Sequence, residues 1–407
     1  MEYFKFFVKK NIITKMYIII SLAIMFSGST FIKFYHRNML IIYIILAFCM
    51  ACTKQGKHTG YLVRKKNLIF PFLLFTIFNI FLMSQLSYAY VPSIVNTYIN
   101  RFFIMSFMLI FLPSIDVSVC IIKLAKYYSI IVAISIIIST TISGKKSGGL
   151  VGNFQYAGMM MSIAGILFLI DYFDNIENKL NIIGVLLSIT GLMMSGKRMF
   201  SIIYALAFLV IYLLSDYENK HIKFLSGIII VSIMIIIIYN VFPAAKEVLE
   251  RTLSKAGNAE SVTSGRNVLW EKAIEIFKTN RIHGIGFGAF QVYFADHYVI
   301  KGINAYLTHN IYIGLLAETG AIGFSIFIIF MLNNLRMTYV VKDKIKDLHS
   351  KKVSYVYKFS IMIQVWFIIY GFSGNGIYDV TEMFIYMLGV AMIISLYKSI
   401  NMNDVNV

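Results

Sequence analysis

Two arginines and one histidine in this chain are of the residue types best suited to bind a phosphate group and assist a transfer reaction at it. Arg198 follows a Ser-Gly-Lys segment, Arg266 opens a helix-like pattern, and His309 precedes a long apolar run. A guanidinium binds phosphate through two parallel hydrogen bonds, and helix N-termini favour anions. Histidine is well suited to act as a general base near neutral pH. We therefore predict that these three residues form the catalytic group.

Five further residues are candidate substrate-binding residues, because they lie beside this group or in the segment that joins it. They are Lys197, Arg281, Asn310, Tyr312 and Gly286. Each basic residue also has a structural interpretation, since an arginine at a helix end often extends along apolar surface toward water. No His-x-x-x-His spacing is present, so we expect no metal site and no cofactor.

The elements that must position these residues are membrane-spanning helices. Of 407 residues, 59% are hydrophobic and 14% charged, whereas a soluble domain is roughly half apolar and about a quarter charged. Apolar runs long enough to span a bilayer recur along the chain, and backbone in lipid must satisfy its own hydrogen bonds, which forces such runs into helices. We predict twelve spans: 12–28, 38–52, 68–87, 97–113, 118–142, 154–173, 179–194, 198–215, 222–242, 309–332, 356–372 and 378–397.

The lysines and arginines indicate the orientation of these spans. With the N-terminus in the cytoplasm, 22 of them lie on the cytoplasmic side and seven in the short outer loops. The N-terminus is basic and then apolar without a convincing small-residue cleavage site, so we interpret it as the first span. Both termini are predicted to be cytoplasmic. The net charge of +18 indicates contact with the inner leaflet, and we expect no nucleic acid as a partner.

The chain divides into three parts. Residues 1–242 contain spans one to nine, 243–308 form one large extracytoplasmic loop, and 309–407 contain spans ten to twelve. Within the loop, apolar residues at helical spacing predict an amphipathic helix over 266–278. The glycine run 284–288 that follows predicts a tight turn, because it lacks the preceding strand of a dinucleotide-binding fingerprint.

Several other polar or reactive residues have structural explanations. Cys49 and Cys52 form a single C-x-x-C pair without a second pair or a redox fold around it. Glu318 lies inside span ten on another face from the histidine, and an intramembrane carboxylate is costly, so we expect it to pair with another helix. Asp379 and Glu382 are explained by capping at the start of span twelve.

Taken together, these residues resemble the O-antigen ligase and polymerase superfamily. The resemblance covers residues 150–323 and includes the large external loop before the histidine-bearing helix. The motifs that carry it are Gly152-Asn153-Phe154-Gln155, Ser195-Gly196-Lys197-Arg198, Gly265-Arg266, Trp270, Gly284-Ile285-Gly286-Phe287-Gly288, His309-Asn310 and Glu318-x-Gly320-x-x-Gly323.

The resemblance implies an all-α polytopic membrane protein with about 12 transmembrane helices and the GT-C-like glycosyltransferase architecture. It implies a metal-independent enzyme of the bacterial cytoplasmic membrane that takes a glycan from undecaprenyl pyrophosphate at the outer face. His309 matches the family's proposed catalytic histidine, and Arg198 and Arg266 match its essential arginines. We expect a polymerase, which passes the glycan to the next lipid-linked repeat unit in O-antigen, capsule or exopolysaccharide synthesis. Membrane lipids and a chain-length regulator protein are the further partners we expect.

Two other functions remain open from the sequence. An O-antigen ligase uses the same chemistry but passes the glycan to lipid A core in lipopolysaccharide synthesis, and the motifs do not separate the two enzymes. A transporter or flippase of lipid-linked oligosaccharide belongs to a different class. Such transporters usually show internal repeats and short loops, whereas this chain has one dominant external loop. A receptor-like or purely structural membrane protein would leave the arginines and the histidine unexplained.

Overall fold

The computed structural model of this chain describes residues 7–8, 10–26, 36–52, 60–62, 74, 76–78, 105, 107–174, 179–215, 220–243, 246, 250, 266–298, 307–346 and 350–401. These residues are almost entirely helical, which confirms the predicted all-α class. The helices are α1 (Ile12–Met25), α2 (His36–Cys52), α3 (Ile115–Ser143), α4 (Phe154–Asp174), α5 (Lys179–Ser195), α6 (Arg198–Leu214), α7 (Lys220–Val241), α8 (Arg266–Thr279), α9 (Phe290–His297), α10 (Ile311–Lys346), α11 (Lys351–Gly371) and α12 (Val380–Asn401).

Six helices are long and apolar enough to cross a membrane. They are α3, α4, α7, α11, α12 and the Ile311–Lys342 part of α10. The helices α1, α5 and α6 and the Met39–Met50 part of α2 are apolar but shorter. The chain is therefore a polytopic membrane protein, and ten of its twelve predicted spans are observed as apolar helices. Most of the predicted span 68–87 lies outside the described residues.

The predicted span 97–113 is wrong at the end that the structure describes. A 3-10 turn leads there into a short strand, β2 (Phe111–Pro113), which pairs antiparallel with β1 (Gly60–Leu62). The register places Gly60 opposite Pro113. A short apolar run has the same hydrophobicity in a strand as in a helix, so the pattern alone does not separate the two.

The helices differ in how far the protein surrounds them. In α12, 94% of the most apolar window is buried inside the protein, against 11% in α7. Large residues such as Ile229 and Ile236 of α7 are more than half exposed, at 59% and 61%. Because α7 is apolar around its whole circumference, this surface is suited to lipid. The helix α12, by contrast, is a central element of the bundle.

One end of the bundle carries a group of buried and half-buried ion pairs. Lys123 Nζ lies 2.8 Å from both carboxylate oxygens of Asp171, and Lys126 bonds to the same carboxylate. Lys358 Nζ lies 2.5 Å from Asp174 Oδ1. These residues all belong to span ends that the charge pattern assigns to the cytoplasmic side. The start of α3, the end of α4 and the start of α11 therefore lie at the same end of the bundle.

The helix α10 is broken at Gly320, whose φ of 61° and ψ of −168° are not helical. In a continuous helix the N–H groups of Ala321 and Ile322 would donate to the carbonyls of Ala317 and Glu318. The break opens these two hydrogen bonds and leaves two donors and two acceptors unsatisfied. In a membrane-spanning segment such groups must find partners.

The segment that follows α8 supplies all four partners. The N–H groups released by the break donate to the carbonyls of Arg281 and Ile282, at 2.8 and 3.2 Å. The two released carbonyls accept from the N–H groups of Ile285 and Gly286, at 3.1 and 2.7 Å. The predicted tight turn is therefore inserted into the hydrogen-bond ladder of a membrane helix, and it fixes α8 and α9 to that helix.

The side chain of Glu318 completes this attachment. Its carboxylate is fully buried and accepts from the N–H groups of Gly288 and Phe290, at 2.7 and 3.0 Å. The hydroxyl of Tyr378, just before α12, donates to the same carboxylate at 2.6 Å. Three donors thus stabilise a buried carboxylate. The partners are two loop amides and a tyrosine, and no cation is among them.

Candidate active site

His309 lies at the N-terminal end of α10, in a conformation that is unusual for its residue type. Its φ is 52°, and among the described residues no other non-glycine residue has a positive φ. Its N–H donates to Asn375 Oδ1 at 2.9 Å, and its Nδ1 lies 3.0 Å from Asn375 Nδ2. One asparagine between α11 and α12 therefore holds both the backbone and the ring of this histidine.

The amphipathic helix expected over 266–278 is observed as α8, Arg266–Thr279, and its first turn lies against the histidine segment. Trp270 Nε1 donates to the carbonyl of Thr308 at 2.9 Å. Arg266 Nη1 donates to the carbonyl of Ser373 at 2.8 Å. The helix is thus joined to both chain segments that hold His309.

Two lysines from separate loops meet on one aromatic ring beside these residues. Lys146 Nζ lies 4.5 Å from the centroid of the Phe154 ring, and Lys197 Nζ lies 4.8 Å from it. Burial lowers the pKa of Lys197, and Arg266 and Lys146 lower it further. Like charges lower each other's tendency to hold a proton only over short distances. The basic side chains of Lys146, Lys197 and Arg266 therefore lie near one another.

The histidine and the arginines belong to the same group. Burial lowers the pKa of His309 to about 4, and the positive charges of Arg266 and Lys197 add to this effect. Burial also lowers the pKa of Arg266, with Arg198 among the groups that lower it. His309 is therefore neutral at physiological pH.

Four members of this cluster form no ion pair with an acidic side chain in the part of the chain that the structure describes. Among the described residues, no ion pair within 4.0 Å involves Lys146, Lys197, Arg266 or His309. The carboxylate of Asp379 caps α12 by accepting from the N–H groups of residues 381 and 382, and it also accepts from the Tyr156 hydroxyl. The site is therefore suited to an anionic ligand.

The structure brings Lys197, Arg198, Arg266 and His309 together and gives the other four candidates roles in the framework. The side-chain oxygen of Asn310 accepts from the N–H groups of residues 312 and 313, so Asn310 caps α10. The Thr308 hydroxyl donates to the carbonyl of Asn310 at 2.8 Å. The remaining framework contacts are Tyr312 Oη to the carbonyl of Ile368 at 2.7 Å, Gly286 N to the carbonyl of Glu318 at 2.7 Å, and Arg281 Nε to the carbonyl of Lys278 at 3.2 Å.

Sequence reasoning missed Asn375, Ser373 and Lys146. The first two lie in the short Ser-Gly-Asn-Gly connector between spans eleven and twelve, which is polar and rich in glycine. That composition is a signal for a turn. It does not reveal that the connector lies against a residue 66 positions earlier.

The basic cluster lies on α8 and at the starts of α6 and α10. Residues 183–328 match the family model described as O-antigen ligase. The matched segment contains Lys197, Arg198, Arg266 and His309, and it confirms the resemblance to the O-antigen ligase and polymerase superfamily. No curated protein matches the chain.

The match supports a ligase-type or polymerase-type activity in polysaccharide biosynthesis at a membrane. It ends before α11 and α12, so the connector with Asn375 and Ser373 lies outside the matched segment. The contacts of these two residues with His309 and Arg266 join the matched and unmatched parts of the chain in one site.

Proposed function

We propose that this protein is a polysaccharide polymerase of the bacterial cytoplasmic membrane. In this proposal the donor is a glycan on undecaprenyl pyrophosphate, and the acceptor is the next repeat unit on the same lipid carrier. The observation that carries the proposal is the convergence of Arg266, Lys197 and His309 without an ion-pair partner among the described residues. A pyrophosphate is the ligand whose charge and oxygen atoms suit this cluster best.

The identity of the acceptor distinguishes a polymerase from a ligase. A polymerase uses polyprenyl pyrophosphate as the carrier of both substrates. One cationic cluster is therefore suited to bind the pyrophosphate head group of either substrate. A ligase would instead bring a differently built lipid A core to the same place. Because the family model that matches is described as O-antigen ligase, ligase activity is the alternative that an experiment must separate from polymerase activity.

The position of the cluster in the chain supports an outer-face reaction. Lys146, Lys197, His309 and Asn375 all lie in segments that the charge pattern assigns to the outside. The apolar helices around the cluster give the polyprenyl tail a lipid environment while the pyrophosphate meets the basic side chains. The energy for transfer lies in the donor's own phosphate bond, so the proposed reaction uses no nucleotide and no metal.

Reconstitution tests the activity directly. The purified full chain is placed in liposomes with the undecaprenyl-pyrophosphate-linked repeat unit as the sole glycan, and products are separated by size. A polymerase gives a ladder of glycans in this mixture. A product that forms only when lipid A core is added would establish the ligase instead. No product in either mixture would refute both forms of the proposal.

The role of His309 is tested in the same assay. We expect His309→Ala to lower the rate by about 10²–10⁴-fold, the usual contribution of a catalytic side chain. His283 and His297 are matched controls, since each is exposed and its Nδ1 contacts a backbone carbonyl in its own segment. Their alanine variants should keep the ladder. A normal ladder from well-expressed His309→Ala would remove this residue from the reaction.

A further inference from the structure

The contact between Asn375 and His309 determines which nitrogen of the histidine ring carries the proton. A backbone N–H can only donate, so the Asn375 atom 2.9 Å from the N–H of His309 must be the amide oxygen. The other end of the amide is then the NH₂ group, which has no acceptor capacity. It faces His309 Nδ1 at 3.0 Å. Nδ1 therefore accepts this hydrogen bond and carries no proton.

A neutral imidazole has one proton, so in this arrangement the proton sits on Nε2. The surroundings keep the ring neutral. Arg266 from α8 and Lys197 from the corner before α6 act on it as positive charges, and burial adds to their effect. On the side of α12, the Asp379 carboxylate is occupied by Tyr156 and two N–H groups, and Glu382 acts on Lys197.

We propose that Asn375 is a positioning residue that holds His309 as the Nε2–H tautomer, so that His309 donates a hydrogen bond to an anionic oxygen of the bound head group. This inference rests on the proposed function and makes its chemistry more specific. A ring with its Nε2 proton in place has no free lone pair with which to accept the proton of the acceptor hydroxyl. His309 thus stabilises the leaving group, beside the arginine and lysine that bind the same anion.

The transfer step balances without a proton taken by His309. The bond between the anomeric carbon of the donor sugar and the pyrophosphate oxygen breaks, and its electron pair goes to that oxygen. The acceptor hydroxyl oxygen forms the new bond to the same carbon. The hydroxyl proton passes to the released pyrophosphate or to water. The Nε2 proton stays on His309, where its hydrogen bond to the pyrophosphate strengthens as negative charge develops there.

The experiment exchanges the donor on Nδ1 for an acceptor with little change in shape. In Asn375→Asp a carboxylate oxygen still accepts from the N–H of His309, but the second oxygen now attracts a proton to Nδ1. Neutral His309 then has a bare Nε2. We expect the rate of glycan transfer to fall by about 10²–10³-fold at pH 8, the usual effect of losing one hydrogen-bond donor to a developing anion. If His309 were a general base, this aspartate–histidine pair would keep or raise the rate.

The pH profile separates tautomer control from a merely structural loss. The new carboxylate favours the charged imidazolium and so raises the pKa of His309 in the variant. Below that pKa both ring nitrogens carry protons, and the Nε2–H donor returns. The rate of Asn375→Asp should therefore recover as the pH falls, whereas wild type shows no such recovery. Asn280→Asp is the control, because it adds the same charge on an outer segment away from His309.

A measurement without turnover keeps the inference separate from the proposed function. The full chain in nanodiscs, with its seven histidines labelled with ¹⁵N and His309 assigned through His309→Gln, reports the tautomer by NMR. We expect a protonated Nε2 in wild type and a protonated Nδ1 in neutral Asn375→Asp. A protonated Nδ1 in wild type, or full activity of Asn375→Asp at pH 8, would overturn the inference. An absence of any glycan product would refute the proposed function, and the NMR result would stand by itself.

Discussion

Arg266 combines a fixed position with free hydrogen-bonding capacity. One of its five N–H donors is bonded to the carbonyl of Ser373, and that bond holds the planar head group next to His309. The other donors have no partner among the described residues. Anchoring one edge of a guanidinium reduces the entropy lost when its other edge binds a ligand. We therefore propose that Arg266 is preorganised to bind two phosphate oxygens at once.

This geometry predicts that lysine cannot replace Arg266. A lysine ammonium is a point charge on a flexible stem and cannot bond to the Ser373 carbonyl and two phosphate oxygens in one plane. We expect Arg266→Lys to lower the transfer rate by about 10-fold or more, in line with the loss of one charge-assisted hydrogen bond. The assay is the reconstituted ladder. Arg336→Lys, an exposed arginine in α10, is the matched control, and equal rates for the two variants would contradict a bidentate role.

At the scale of residues, the sequence predicted the chemical types better than their partners. Arg266 and His309 stand out because an apolar chain contains few such side chains, and each begins a helix. Asn375 does not stand out, since a glycine-flanked asparagine is typical of any turn. Its function depends on a contact between segments 66 residues apart, and local composition contains no information about such a contact.

The break in α10 explains two glycine motifs at once. Gly320 has φ +61° and Gly284 has φ +70°, which L-residues with a Cβ rarely adopt. A Cβ on Gly284 would lie 2.3 Å from the backbone of residue 318, and a Cβ on Gly320 would lie 2.4 Å from the backbone of residue 282. Two backbones therefore touch at this point. Glycine is required here by both conformation and space.

Alanine substitutions at these glycines should disrupt the hydrogen bonds between residues 281–286 and α10. Gly144 is the matched control, because its φ is +63° but no atom lies within 4 Å of its would-be Cβ. Gly144→Ala should cost about 1–2 kcal/mol from conformation alone. Gly284→Ala adds overpacking, worth about 1–3 kcal/mol more. Gly320→Ala adds this overpacking and also the cost of a φ/ψ pair, 61° and −168°, that is essentially restricted to glycine. Thermal unfolding of the purified variants measures this, and similar midpoints for Gly144→Ala and Gly320→Ala would disprove the close backbone contact.

At the scale of elements, periodicity predicted α8 within one residue, because apolar residues at helical spacing give a clear signal. The strand β2 was missed, since three apolar residues fit either structure. The hydrogen-bond exchange between the glycine turn and α10 was also beyond the sequence. Each glycine predicts local freedom of the backbone, but neither indicates that the other segment fills the gap.

At the scale of the whole molecule, the basic residues at the two ends of the bundle have different surroundings. The end with Lys123, Lys126 and Lys358 contains ion pairs with aspartates. At the end with Arg266 and His309, neither of these residues nor Lys197 forms an ion pair with a described residue. At the first end the lysines are paired with aspartates and stabilise the fold. At the second end the basic side chains are suited to bind an anion. A single chain of alternating spans produces this separation by its loop sequences alone.

Cysteine labelling tests the absolute orientation. In a chain whose native cysteines are replaced by serine, Thr279→Cys places a thiol on exposed α8, and Lys351→Cys places one at the start of α11. A membrane-impermeant reagent applied to intact cells, with any outer membrane permeabilised, should label position 279. Position 351 should react only after lysis, because the 22-to-seven charge asymmetry puts it inside. The reverse pattern would invert the topology and put the site in the cytoplasm.

Hydropathy predicted the class and most spans of this molecule, because lipid selects for apolar length regardless of the neighbours of a helix. It did not separate central from peripheral helices. Both α12 and α7 are apolar all round. Yet 94% of the most apolar segment of α12 is buried inside the protein, against 11% of the corresponding segment of α7. How deeply a helix is buried depends on which other helices pack around it. A helix that is apolar on all sides gives no sign of which side faces the protein.

The interrupted hydrogen-bond ladder of α10 also has a consequence for biogenesis. Residues 281–286 are synthesised before Ile311–Lys346, so the segment that fills the break precedes the helix that contains it. A helix entering the bilayer by itself pairs its own backbone groups, since unsatisfied ones cost several kcal/mol in hydrocarbon. We therefore expect the newly inserted α10 to be continuous and to open at Gly320 only when residues 281–286 bind to it. On this expectation, insertion of α10 and docking of residues 281–286 are separate events, and the second one completes the attachment of α8 and α9.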